Sequence, residues 1–121
     1  MRKLALIYRD QGRLAEAENL QIAVVKGRKQ VLGEEDPATL RSMGELALIY
    51  HNQCRLEDAR ELLVPVVEGR KRVLGKHHQD TRWAMKYLAS LYREEKRDDD
   101  AEILEKELEQ VEAGDEIEAS R

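Results

Sequence analysis

The sequence predicts an all-α protein: a right-handed α-solenoid of antiparallel helix hairpins, with about three repeats and six helices. Two observations carry that expectation. The string Leu4-Ala5-Leu6-Ile7-Tyr8 returns unchanged 42 positions later as Leu46-Ala47-Leu48-Ile49-Tyr50, and after another 42 in looser form as Leu88-Ala89-Ser90-Leu91-Tyr92. Ala, Glu, Lys, Leu and Arg supply 66 of the 121 residues, against two prolines and no phenylalanine, a balance that suits packed helices and leaves little material for a sheet. Residues 1–42 and 43–84 share 20 identities at that offset, a register that composition bias does not produce.

The repeats divide as 1–35, 36–77 and 78–113, forming one domain with a polar tail over 114–121. Met1 matches Met43 and Met85, which have residues before them, so the first repeat reads as truncated at its N-terminus. Its hairpin turn is expected at Gln11-Gly12-Arg13, and its second helix stops at Val31-Leu32-Gly33. In the second repeat Asp36 is a suitable N-cap, and Pro37 occupies the first helical position, where a missing N–H is not needed. Leu40, Met43, Leu46, Ala47 and Tyr50 then recur at helical spacing and form one apolar stripe. Gln53-Cys54 interrupts the pattern. A second stripe follows through Leu56, Ala59, Leu62, Leu63, Val66 and Val67, and ends at Gly75 after Arg70, Lys71 and Arg72, cations that complement the helix dipole. Pro65 falls inside this helix and predicts a bend. The first helix of the third repeat begins at Asp80 or Thr81, the chain turns at Glu95-Lys96, and the second helix should end at Gly114. No helix can bury its stripe alone, so the units must stack.

With 21 Lys+Arg against 25 Asp+Glu the net charge is −4, which leaves no footprint for nucleic acid. No apolar run is long enough to cross a bilayer and no signal-peptide pattern follows Met1, so a cytoplasmic chain without membrane contact is expected. The single cysteine, Cys54, excludes an internal disulfide and a Cys-based metal site.

Within each unit the spacing Met43-x-x-Leu46-Ala47-x-x-Tyr50 followed by Ala59, matched by Met1, Leu4, Ala5, Tyr8 and Ala17 and by Met85, Leu88, Ala89, Tyr92 and Ala101, resembles the tetratricopeptide repeat. The 42-residue period and the segment Val31-Leu32-Gly33-Glu34-Glu35-Asp36-Pro37-Ala38-Thr39-Leu40 resemble the long-helix variety of kinesin light chains, and more closely still the repeat arrays of fungal NLR-like receptors. Cys54 and Lys96 stand where the first unit has its turn glycine, Gly12, which implies some strain. At the positions of the two-carboxylate clamp known in chaperone-binding members stand Arg2, Leu6, Glu45, Trp83 and Tyr87, so that clamp is essentially absent.

The resemblance implies that first helices line a concave groove. By register, its candidate residues are Arg2, Leu6 and Arg9 in the first unit, and Arg41, Gly44, Glu45, Leu48, His51 and Asn52 in the second. Trp83, Lys86, Tyr87, Ser90 and Arg93 follow in the third. Trp83 and Tyr87 would anchor an extended acidic or aromatic-bearing segment, and the arginines would pair its carboxylates.

Rival chemistries find less support. His77-His78 with Asp80 lacks a third nearby ligand, and His51 with Cys54 lacks a recognisable catalytic spacing. Glu102, Glu105, Glu109 and Glu112 fall on one solvated helix face. The basic run Gly69-Arg70-Lys71-Arg72 repeats Gly27-Arg28-Lys29 and reads as a helix ending. The expectation is a non-catalytic module that binds a protein or peptide, without cofactor or metal, as the sensor or scaffold part of a larger NLR-like receptor. The alternative is a self-stacking, oligomerising fragment of a longer array, with a homodimer formed through its terminal helices.

Overall fold

A computed structural model describes the backbone of residues 2–119, with side chains for residues 13 and 15–114. Five helices follow one another, each packed against the next: α1 (Arg2–Leu32), α2 (Pro37–Asn52), α3 (Leu56–Val73), α4 (Gln79–Glu94) and α5 (Asp98–Ala119). Among the described residues there is no strand.

Local chemistry accounts for most boundaries. Asp36 is extended (φ −61°, ψ 136°) and its Oδ1 accepts the Ala38 N–H at 2.9 Å, with Pro37 next in the first helical turn. Gly33 and Gly75 end α1 and the α3 segment at φ 95° and 89°, a conformation open to glycine without Cβ strain. Both tight turns are closed by a bond reaching five residues back, Arg55 N–H to the Tyr50 carbonyl at 2.9 Å and Arg97 N–H to the Tyr92 carbonyl at 2.7 Å. These closures put Cys54 and Lys96 at φ 61° and 60°, the left-handed region their alignment with Gly12 anticipates. Pro65 lies inside α3, which continues unbroken on both sides of it.

Three expectations change. The turn at Gln11-Gly12-Arg13 is not made: α1 continues through it as one helix of 31 residues, about 46 Å, so the described residues form five helices rather than six. A straight helix keeps the i→i−4 hydrogen bonds that a turn surrenders, and Gly12 is compatible with either backbone at a cost of about 1 kcal/mol in a helix. The helix of the third unit starts at Gln79, because His78 rather than Asp80 is its cap, its Nδ1 accepting the Asp80 N–H at 3.0 Å. Its second helix does not stop at Gly114: Asp115-Glu116-Ile117-Glu118-Ala119 contains no breaker, and α5 continues to Ala119.

The core follows the stripes. Leu40, Met43, Leu46 and Ala47 of α2 are buried with Ala59, Leu63, Val66 and Val67 of α3. Ala84, Met85, Leu88, Ala89 and Leu91 of α4 continue it, and Leu104 and Leu108 of α5 close it. Three of the alanines in the repeated pattern, Ala47, Ala59 and Ala101, are fully covered, because a larger side chain there would hold the helices apart. Among the described side chains of α1 only Val25 reaches burial, whereas Leu20 and Val31 stay 70 % and 83 % exposed. Tyr50 and Tyr92, one repeat apart, pack at the edge of the cluster, with the Arg55 guanidinium 4.2 Å from the Tyr50 ring centre.

Candidate functional site

Helices α2 and α4, the first helices of the second and third units, meet through an aromatic chain. The Trp83 and Tyr87 rings stack at 5.5 Å with planes 8° apart, and the Tyr87 ring meets His51 edge-on at 5.4 Å. The Tyr87 hydroxyl and His51 Nδ1 share a hydrogen bond of 2.6 Å, and His51 Nε2 is hydrogen-bonded to the Glu94 carboxylate at 2.9 Å. Burial, with a smaller contribution from the Glu94 charge, pushes the Tyr87 hydroxyl up to about 12. Trp83 is thus 41 % exposed with one face of its ring against Tyr87.

In front of Trp83 lies a cleft of about 420 Å³, walled by Arg41, Glu45 and Leu48 of α2, Arg70 of α3, and Asp80 of α4. It shares Arg41, Glu45, Arg70 and Asp80 with a more polar cleft of about 600 Å³ that extends to Arg28, Pro37, Ala38 and Leu74. A separate cavity of about 210 Å³ between α3, α4 and α5 falls below the ~300 Å³ usual for a ligand pocket.

The structure sorts the candidate residues. Arg41, Glu45, Leu48 and Trp83 share the cleft, and His51 and Tyr87 extend it as the aromatic chain. Asn52 is exposed at the end of α2, and Ser90 donates to the Lys86 carbonyl at 3.1 Å. Lys86 and Arg93 turn to α5 instead: Lys86 pairs Glu112 at 3.2 Å, and Arg93 pairs Glu105 at 2.8 Å and Asp98 at 3.3 Å. Arg2, Leu6 and Arg9 lie outside the residues whose side chains are described.

Register on the first helices misses Arg28 and Arg70, which come from the second ones. Arg28 donates through Nη1 to the Ala38 carbonyl at 2.9 Å, and Arg70 does the same to the Asp80 carbonyl at 3.1 Å. Each therefore ties the end of a second helix to the first turn of the next helix. Arg70 is only 7 % exposed. Desolvation lowers its pKa, Asp80 opposes that shift, and the nearby Arg41 charge adds to it. The signal was present in the repeated Gly-Arg-Lys string, where a helix-end reading absorbed it.

Among the described residues no group of three His, Cys, Asp or Glu side chains could hold a metal ion, and no helix is long and apolar enough to cross a membrane. Cys54 is exposed at its turn.

The sequence matches the pattern of the tetratricopeptide repeat over residues 1–64 and again over 41–111. A search of curated proteins found no match. Among solved structures, the nearly identical TPR-like repeats of a kinesin light chain-type protein from Podosopora anserina superpose with a TM-score of 0.76 and, in a single-substitution form of the same repeats, 0.77. Identity is 29 % over 92 % of this chain, which spans about half of those chains, 53 % and 52 % respectively. BtubC (BKLC) from P. vanneervenii shares the fold at 20 % identity and a TM-score of 0.77, over 92 % of this chain and 44 % of its own.

Proposed function

The chain belongs to the tetratricopeptide-repeat family, and from that premise we propose that it is a non-catalytic protein-interaction module that holds an extended partner segment against α2 and α4. The observation that carries this reading is Trp83: a large ring, 41 % exposed, stiffened by Tyr87 and opening onto a cleft with Arg41 and Arg70. A preordered aromatic flanked by guanidinium groups loses little entropy on binding and suits a segment bearing acidic and aromatic side chains. Placed in a longer receptor of the NLR-like type that the repeats resemble, it would be the sensing or scaffolding part. The test is affinity capture with the wild-type chain, Trp83→Ala and Arg41→Glu, each checked by circular dichroism. A partner retained equally by all three folded proteins would refute groove binding.

A second reading, self-association through α1, draws on Leu20, Val31 and Leu32, which are 70 %, 83 % and 48 % exposed. Light scattering over a concentration series decides it, since a chain that stays monomeric throughout rejects it.

A further inference from the structure

We infer that Arg28, Arg41 and Arg70 form an oxyanion-binding site at the Pro37 end of the cleft, taking a carboxylate or phosphoryl group on the partner segment. The inference rests on the groove reading and gives that groove a chemical specificity.

The site repeats with the fold. Arg28 and Arg70 are one repeat apart, as are the Ala38 and Asp80 carbonyls that they hold, so each second helix delivers a guanidinium to the same place on its neighbour. A guanidinium has five N–H donors on three nitrogens, and in both residues only Nη1 is engaged. Neither forms an ion pair with a carboxylate among the described residues, and Arg70 is nonetheless more than nine-tenths buried. Desolvation of the Arg70 cation is unfavourable; the Asp80 charge offsets part of it, and the Arg41 charge beside it adds to it. A purely structural tie uses one nitrogen of each group, and the other donors are open to the cleft that both residues line.

The carboxylates lining the cleft offset this only in part, since Asp80 acts on Arg70 through its charge without forming an ion pair with it. Glu45 lies 3.4 Å from Arg41 and accepts from Gln21 at 3.1 Å, while Asp80 is 3.9 Å from His78. The first turns of α2 and α4, at Pro37-Ala38 and Asp80, open on the same cleft and add the partial positive charge of helix N-termini. An incoming oxyanion would accept from the free guanidinium donors and offset the repulsion between Arg70 and Arg41.

Trp83, the chain's single tryptophan, borders the cleft and has the Arg70 guanidinium carbon 5.7 Å from its ring centre, so its fluorescence reports occupancy. The experiment titrates the full chain at low salt with a tetraglutamate peptide, a phosphoserine peptide, inorganic phosphate and, as the opposite-charge control, tetralysine. Saturable change with tetraglutamate or the phosphoserine peptide is expected, and the tighter of the two identifies the source of the oxyanion. Phosphate alone should bind more weakly, competitively with either peptide. Arg41→Ala should weaken binding about threefold, as for an exposed charge pair. Arg70→Lys, which keeps the charge and loses the fork, should weaken it about tenfold. Glu45→Gln, which frees Arg41, should tighten it. Arg41 is mostly solvent-exposed, so its variant keeps the test intact if Arg70→Lys fails to fold. Absence of saturation with every anion, preference for tetralysine, or unchanged affinity in Arg41→Ala would overturn the site. Partner capture lost in Trp83→Ala but indifferent to Arg41→Ala and Arg28→Lys would sink the oxyanion site and leave the groove standing. Capture indifferent to Trp83→Ala would instead sink the groove reading.

Discussion

Gly27 and Gly69 hold the same place in successive repeats, and replacing each with alanine should move stability in opposite directions. Both lie inside helices, where exchanging Gly for Ala gains about 1 kcal/mol of helix propensity. At Gly27 nothing lies within 4 Å of an added Cβ, so Gly27→Ala should keep that gain. At Gly69 the Cβ would meet Leu40 Cδ2 at 2.8 Å and Cδ1 at 3.0 Å, and Leu40 is 2 % exposed, with little room to turn away. Overpacking of that kind costs roughly 1–3 kcal/mol. Subtracting the propensity gain leaves a net loss of about 1 kcal/mol and a gap of about 2 kcal/mol between the two variants. Urea unfolding followed by far-UV circular dichroism measures both, and each kilocalorie should shift the thermal midpoint by roughly 4 °C. Shortening Leu40 to valine should recover part of the loss in the Gly69→Ala background, as a positive coupling in a double-mutant cycle. If the two glycine variants changed stability equally and with the same sign, the close packing of α3 on α2 would be refuted.

Other outcomes follow from single contacts. Thr39 and Thr81, one repeat apart, are fully buried with hydroxyls that lack a hydrogen-bond partner, so Thr39→Val or Thr81→Val should stabilise by about 1 kcal/mol in the same melts. Lys96 stands at φ 60°, and Lys96→Gly should raise stability by about 0.5 kcal/mol, the relief of left-handed strain exceeding glycine's entropic penalty; a loss would contradict that turn. The Tyr87 hydroxyl is raised, so the fold favours its neutral form. Its contribution is complete below the ordinary tyrosine range near 10 and is lost as the pH rises through about 12. Phenolate absorbance in wild type and Tyr87→Phe should locate that step, and a Tyr87 titrating in the ordinary range would contradict its burial.

Legibility divides along the range of the interactions. The Asp36-Pro37 start of α2 was readable because a cap and its N–H donor lie two residues apart. The left-handed turns at Cys54 and Lys96 were readable because alignment with Gly12 fixes their register. The same Gly12 misled at its own position, since a turn forms only when its two arms gain enough by packing to replace the helical hydrogen bonds, and that balance is not written in three residues. His78 was similarly obscured. A histidine is an uncommon cap, and only the backbone geometry shows its ring accepting from Asp80.

The candidate groove divides the same way. The family resemblance put the groove on first helices, and helical register then picked out Arg41, Glu45, Leu48, His51, Trp83 and Tyr87 there, because periodicity carries from one repeat to the next. Register could not tell Lys86 and Arg93, drawn to acidic residues of α5, from Arg41, which faces the cleft, since all three are cations at comparable positions. Nor could it bring Arg28 and Arg70 across from the second helices, because their carbonyl partners come within reach only when the hairpins dock. The chain by itself specified the period, the stripes and the repeating unit, all of which follow from interactions within one helix turn or one repeated register. Which side chains share a surface, and whether a glycine is a hinge, a helical residue or a place where two helices touch, was decided only by tertiary packing, because contacts between helices depend on what arrives from the neighbouring unit.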